Sequence, residues 1–281
     1  MSTNNSYLIS IPGYSISVEE YGDPQGLPVV ALHGWLDNSA SFFALGDFLK
    51  GIRLISMDLV GHGNSSFRPK GMPYHIWDNV TDVEAIISAL GLKEVNLVGH
   101  SMGASIAALF SGAFPEKVNR LMCIEGLAPL HYEVDQLPND LSQAISKRKK
   151  LASKTLRPYV QIKDAISARM NGRWPVGREA AEALLQKGLV ETEGGYCWSH
   201  DPGLLLPSLV RFSPEQIRAF LRAITAETTV IKGKDGASYL MDGWIDELQQ
   251  SELFEFEGGH HLHMEASGAQ EIANIINGWV K

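Results

Sequence analysis

Five residues, Gly99-His100-Ser101-Met102-Gly103, constrain this chain more than any others, because of what stands on either side of them. An apolar run at 95–98 precedes them and a helix-forming run opens near Ala104, so the G-x-S-x-G pattern occupies a strand-to-helix turn. The flanking glycines allow a turn tight enough to lift the Ser101 hydroxyl above a sheet edge, in a strained conformation that bulky neighbours would block. The helix N-terminus behind the serine favours negative charge developing there. The string alone is short enough to recur by chance, and a glycine-rich turn without chemistry is the bland alternative. In this setting it marks Ser101 as a candidate nucleophile.

Periodicity around the turn predicts a parallel sheet. Residues 14–21 alternate as a strand, 28–32 and 52–57 are short strands, and 41–50 and 76–90 have helical spacing. Next come the buried strand 95–98, a helix over 104–114 and a strand over 118–124. This βαβα order implies an α/β fold, a mostly parallel central sheet flanked by helices on both faces. Between 129 and 213 the pattern changes: 141–154, 159–170 and 178–190 are helical in spacing, and no clear strand appears among them. Alternation resumes with 229–232, 238–248, 253–256 and a last helix over 266–280. The expected division is a core of 1–128 and 214–281 interrupted by an inserted helical cap, 129–213. There is no internal repeat and no low-complexity segment.

Composition narrows the class of partner. The 24 Lys+Arg against 32 Asp+Glu, a net charge of −8, make nucleic acid and anionic membrane surfaces poor partners. No apolar run reaches the ~18 residues that span a bilayer, and the first twenty residues lack the basic start and apolar stretch of a secretory signal. Two cysteines, Cys123 and Cys197, make no disulfide framework. A cytoplasmic enzyme, monomer or homodimer, is expected.

A serine needs a base to take its proton. Of nine histidines, His260 stands first after the glycines in Gly258-Gly259-His260-His261-Leu262-His263, beyond the last expected strand. A loop at the C-terminal end of a parallel strand is where such sheets present functional groups. His260 is therefore the expected base, with His261 and His263 as packing or surface residues. Three close histidines also raise the question of a metal, but their spacing is irregular and no cysteine or carboxylate pattern supports it, so neither metal nor cofactor is expected. His33-Gly34-Trp35 ends the strand 28–32, placing the Trp35 N–H as one half of an oxyanion hole and the Met102 N–H as the other.

In order along the chain, the HGW strand end, Asp58-Leu59-Val60-Gly61-His62-Gly63-Asn64-Ser65, GHSMG and GGHHLHME resemble the α/β-hydrolase superfamily across essentially the whole chain. Tyr196-Cys197-Trp198-Ser199-His200-Asp201-Pro202 with Leu206-Pro207-Ser208 is similar to its serine-hydrolase-like subgroup. The resemblance implies that Asp58 and His62 are structural. It also implies a third catalytic group, a carboxylate orienting His260. Asp235 is favoured, because the superfamily usually places its acid after the strand at 229–232. The usual G-x-x-D is one residue short here, reading Gly233-Lys234-Asp235. Glu125, at the end of the strand 118–124, is the alternative acid.

Serine rather than aspartate at position 101 disfavours epoxide opening and halide displacement, which form an ester on a carboxylate. Acyl transfer on a small-molecule ester is the leading expectation, a carboxylesterase for small or medium acyl groups. The alternatives are a lactone or carbon–carbon bond hydrolase on the same triad, or a non-catalytic ligand-binding protein of the same fold. The cap would restrict substrate entry; Tyr159, Met170, Trp174 and Trp198 line an acyl pocket or form the cap's own core.

Overall fold

A computed structural model describes residues 5–152 and 158–280. The chain runs β1 (Asn5–Ile11), β2 (Tyr14–Gly22), β3 (Leu27–Leu32), β4 (Ile52–Met57), α1 (Ile76–Ala89), β5 (Val95–His100), α2 (Met102–Ala113) and β6 (Val118–Ile124). After β6 come α3 (Leu137–Ala152), α4 (Ile162–Met170), α5 (Arg178–Gly188), and a hairpin of β7 (Leu189–Thr192) and β8 (Gly195–Trp198). The chain closes with α6 (Pro214–Ala223), β9 (Glu227–Asp235), β10 (Ser251–Gly259) and α7 (Ala266–Asn277).

Eight strands form one sheet in the order β1-β2-β4-β3-β5-β6-β9-β10. β2 pairs antiparallel with β1 and β4; every other neighbouring pair is parallel. Strand alternation divides the core. Val30 and Leu32 of β3 face α1, α2 and α6, packing with Val83, Ile86, Ile106, Phe110, Ile217 and Leu221. Val29 and Ala31 face the other way, toward α7, α5 and the turns around Phe42. β4 lies on one side of β3 and β5 on the other, so the strand order reverses at β3. In such a sheet the crevice at the carboxyl ends of these strands is where ligands bind.

Three segments differ from expectation for local reasons. Residues 41–50 are not an α-helix; 41–47 belong to a 3₁₀ stretch, Ser39–Asp47, and 48–50 lie beyond it. Its two serines and Gly46 are weak helix formers, and the Asn38 side chain caps it by accepting from the Ala40 N–H (3.1 Å). The 238–248 stretch makes only two short 3₁₀ turns, Ser238–Leu240 and Ile245–Glu247, interrupted by Asp242 and Gly243. The segment expected to lack strands contains the β7–β8 hairpin, turning at Glu193-Gly194. β1 and α6 lie outside the expected elements. α6 begins with a Ser213–Gln216 capping box and Pro214 in its first turn. The last two residues of the expected helix 141–154 lie outside the described residues.

Buried side chains of α4 and α5, namely Ala165, Ala180, Ala181, Leu184 and Leu185, belong to the same cluster as Val29, Phe42 and Ile272. The segment after β6 therefore packs on the core instead of closing around a core of its own. Lys187 of α5 reinforces the joint. Its buried ammonium donates to Ser39 Oγ (2.6 Å) and Ser17 Oγ (3.1 Å) and lies 3.3 Å from the Asp58 carboxylate. Among the described residues no helix is long and apolar enough to cross a membrane.

Candidate active site

Among the described residues only three non-glycines adopt positive φ: Leu36 (65°), Ser101 (51°) and Glu125 (53°). They follow β3, β5 and β6, three adjacent strands, at their carboxyl ends. Left-handed backbone costs a non-glycine residue about 1–3 kcal/mol, and such strain clusters where side chains must be aimed. Ser101, at φ 51° and ψ −114°, is the residue immediately before α2. Close approach of α2 to the strands makes this turn possible: a Cβ on Gly103 would sit 2.0 Å from the Leu32 carbonyl oxygen. The first amides of α2 have no partner within the helix, and they open toward Ser101.

Ser101 Oγ lies 3.0 Å from His260 Nε2, and His260 Nδ1 lies 3.0 Å from Glu125 Oε2. The three side chains thus form one continuous hydrogen-bonded line. The Glu125 carboxylate is wholly buried and ringed by donors: it accepts from the Gly233 N–H at Oε1 and from the Ala237 N–H at Oε2, each at 2.6 Å. A carboxylate among donors accepts a hydrogen bond from Nδ1–H, which leaves the Nε2 lone pair facing the Ser101 hydroxyl.

Here the favoured acid is corrected. Asp235 is exposed at the end of β9, and the carboxylate that meets His260 is Glu125. The reason lies one residue further on. The position completing the G-x-x-D spacing is Gly236, where a Cβ would stand 2.2 Å from Glu125 Oε1 and 2.3 Å from Oε2. The longer Glu125 side chain, entering from β6, fills the space that an acid at 236 would have needed.

Trp35 follows β3 through His33 and Gly34. Its indole is half-exposed and donates to the Leu204 carbonyl (3.2 Å), while Met102 opens α2 beside Ser101. His33 and Asp58 are structural: His33 Nε2 accepts from the Leu59 N–H (3.0 Å), and Asp58 accepts from the Ser39 N–H (2.7 Å) and the Asn64 N–H (2.9 Å). His62 is buried against His33, their ring centroids 4.8 Å apart. His263 bonds Ser41 Oγ (2.9 Å) and packs its ring on His100. Tyr159, Met170 and Trp198 pack on the core cluster, whereas Trp174 lies over the His260 ring at 4.5 Å between centroids.

His100, the variable residue inside G-x-S-x-G, has a part that its sequence position does not reveal. Its Nε2 donates to the His260 carbonyl (2.8 Å), tying the histidine loop to β5. Burial holds His100, and likewise His62 and His263, well below the usual imidazole range, so these rings stay neutral. Ligand atoms of Asp37, His100 and His261 converge within 4.8 Å of one another. A side-chain cation already serves that cluster: Arg169 Nη2 is 2.9 Å from Asp37 Oδ1 and 3.1 Å from His261 Nε2. The network was not visible in the sequence, since Asp37, Arg169 and His261 are far apart along the chain.

A serine–histidine–carboxylate line with buried histidine and carboxylate, beside backbone amides at the switch point of a mostly parallel sheet, has the form of a hydrolase-type site. The α/β-hydrolase fold family matches residues 28–267, and the chain belongs to that superfamily. Within it the chain falls in the serine-hydrolase-like subgroup. It is 26% identical to a serine hydrolase-like protein of Danio rerio (99% of this chain, 88% of the relative) and 28% identical to serine hydrolase-like protein 2 of Homo sapiens (97% and 93%). A solved structure of a hypothetical protein from Pseudomonas aeruginosa PAO1 superposes with TM-score 0.92 at 37% identity, covering 98% of both chains. The thioesterase domain from the curacin biosynthetic pathway shares the fold, with TM-score 0.82 at 23% identity over 97% of this chain and 98% of that domain.

Proposed function

We propose that this protein is a serine hydrolase working by acyl transfer, and that its substrates are carboxylic esters of small or medium acyl groups. The observation that carries the reading is the unbroken line Ser101 Oγ–His260 Nε2 and His260 Nδ1–Glu125 Oε2, 3.0 Å at each link. Ser101 Oγ attacks the ester carbonyl carbon as His260 Nε2 takes its proton. The carbonyl electrons move onto oxygen, which the Trp35 and Met102 N–H groups stabilise. Collapse of that intermediate expels the alcohol, protonated by His260, and leaves an acyl-Ser101 ester. Water, deprotonated by His260, then attacks the acyl carbon, releasing the acid and returning the proton to Ser101. Glu125 keeps Nδ1 protonated throughout and stabilises the imidazolium formed at each step. The segment between β6 and α6 acts as a cap that sets acyl-chain preference.

Hydrolysis of p-nitrophenyl esters of increasing chain length, with fluorophosphonate labelling of the folded protein, tests this reading. Turnover and labelling at Ser101 are expected in the wild type, and Ser101→Ala should lose both while its far-UV circular dichroism is unchanged. Equal activity in Ser101→Ala would sink the proposal. Absence of labelling in the wild type would favour a ligand-binding protein instead.

A further inference from the structure

Arg169 stands in the last turn of α4, within the segment between β6 and α6, yet its guanidinium is mostly buried against the core. Nη2 donates to Asp37 Oδ1 (2.9 Å), and Nη1 donates to the Trp174 carbonyl (2.9 Å). His261 completes the cluster, its Nε2 lying 3.1 Å from Arg169 Nη2 and 3.2 Å from Asp37 Oδ2. As N–H this nitrogen donates to Asp37; as a lone pair it accepts from Arg169.

Each partner adjoins a group of the acyl-transfer site. Asp37 lies two residues past Trp35, in a turn closed by the Asp37 N–H on the Gly34 carbonyl (3.2 Å), with strained Leu36 between. His261 is the residue after His260. Trp174 places its indole on the His260 imidazole, 4.5 Å between centroids with 33° between planes.

We propose that Arg169 is a positioning residue: one guanidinium from the inserted segment holds the Trp35 turn, the His260 loop and the Trp174 indole in a single arrangement. The proposal rests on the acyl-transfer reading for its catalytic consequence. It makes the inserted segment part of the reacting geometry, beyond setting acyl-chain preference. The planar fork is what the three contacts require, since two nitrogens must reach partners on different loops at once. A lysine supplies the charge at one point only.

Charge supports the geometry. Asp37 is buried, and burial would raise its pKa, but Arg169 and His261 hold the carboxyl well below the usual carboxylate range. His261 is held below the imidazole range, by burial first, with Arg169 adding to the effect and Asp37 opposing it. The groups facing its ring are Asp37, Arg169, His100, His260 and His263. Without Arg169, His261 becomes the remaining cationic partner of Asp37 and takes up a proton at higher pH. That charge would sit beside His260, whose ring centroid is 5.1 Å away.

The test compares Arg169→Ala and Arg169→Lys with wild type in three measurements. On the smallest ester, kcat of Arg169→Ala should fall about 10- to 100-fold with KM changed far less, as misplacement of a reacting group by ~1 Å does. Free guanidinium should restore part of that kcat, and Arg169→Lys should fall between the two. In histidine-selective NMR, one imidazole, His261, should titrate at higher pH in Arg169→Ala than in wild type. A kcat within twofold of wild type, or a loss that guanidinium does not relieve in a variant still folded by circular dichroism, would overturn the proposal. If the wild type neither turns over esters nor takes the fluorophosphonate label, the acyl-transfer reading has failed, and the His261 titration alone decides whether Arg169 governs this network: an unchanged titration overturns it.

Discussion

Substituting Glu125→Gln replaces one carboxylate oxygen by an NH₂ group while keeping size and shape. Three donors converge on the native carboxylate, the Gly233 N–H at Oε1 and the Ala237 N–H and His260 Nδ1–H at Oε2. Glutamine has one acceptor oxygen, so one rotamer sets its NH₂ against the Gly233 N–H and the other sets it against Ala237 and His260. Leaving a buried donor unpaired costs about 1–3 kcal/mol in stability. In the second rotamer the amide pushes the imidazole to the wrong tautomer, with Nε2–H facing Ser101 and no base available. Loss of the orienting acid costs about 10⁴ in kcat in the worked case of the serine-protease triad, roughly 5 kcal/mol at the transition state. The assay is kcat on a p-nitrophenyl ester for Glu125→Gln beside Asp235→Asn, with a melting curve for each. Asp235 is exposed and should be silent in both. The space at Gly236 gives a second arm: Gly236→Asp alone collides with Glu125, whereas Glu125→Gly with Gly236→Asp should recover activity lost in Glu125→Gly. A collapse of Asp235→Asn, or Glu125→Gln within tenfold of wild type, would refute the reasoning.

Acid should destabilise the fold earlier than carboxylate titration would. His62, His100 and His263 are held well below their unfolded pKa of about 6.5, so below that pH the unfolded chain binds protons that the folded chain does not. Stability is fully present above pH ~6.5 and falls as pH drops, each histidine contributing up to ~1.4 kcal/mol per pH unit; a Tm that is flat between pH 7.5 and 5 would contradict this. Lys187→Met leaves the buried Asp58 carboxylate without its cation and should cost about 3–5 kcal/mol, read as a lower midpoint in urea denaturation. A midpoint equal to wild type would mean that the Ser39 and Asn64 amides suffice for Asp58.

What the sequence could reveal follows how local the determining physics is. The Ser101 turn was legible because strand, glycines and helix start are contiguous, and His260 because it follows the last strand directly. β7 and β8 were hidden because four-residue strands around Glu193-Gly194 resemble a helix end followed by a turn. Which carboxylate meets His260 is not legible locally, because the answer depends on two strands at once. Gly236 is the available signal, a glycine at the place where an acid is due, and Glu125 stands at the end of β6 as the alternative. The Arg169 contacts left no trace, since 132 residues separate Arg169 from Asp37 and only the packed segment brings them together.

The same geometry explains why the strained residues are tolerable where they are. Leu36, Ser101 and Glu125 each leave a parallel strand whose apolar side chains are almost wholly excluded from water: Val29 to Leu32 in β3, Leu97 and Val98 in β5, Leu121 to Ile124 in β6. A strand buried on both faces cannot shift register without moving core side chains to the wrong face, so its end is fixed even when the next residue is unfavourable. The turns are further clamped from above. The Ser101 N–H donates to the Ile124 carbonyl (2.8 Å), and the Glu125 N–H donates to the Ile231 carbonyl (2.9 Å), so these two of the three strained residues continue the ladder of the next strand. Ser101 and Glu125 are therefore registered against each other by the sheet itself. His260 arrives from the end of β10, two strands beyond β6, and needs the separate anchors supplied by His100 and Glu125. That difference accounts for the clustering of buried polar contacts around the histidine loop: the sheet alone does not orient it, and side chains must.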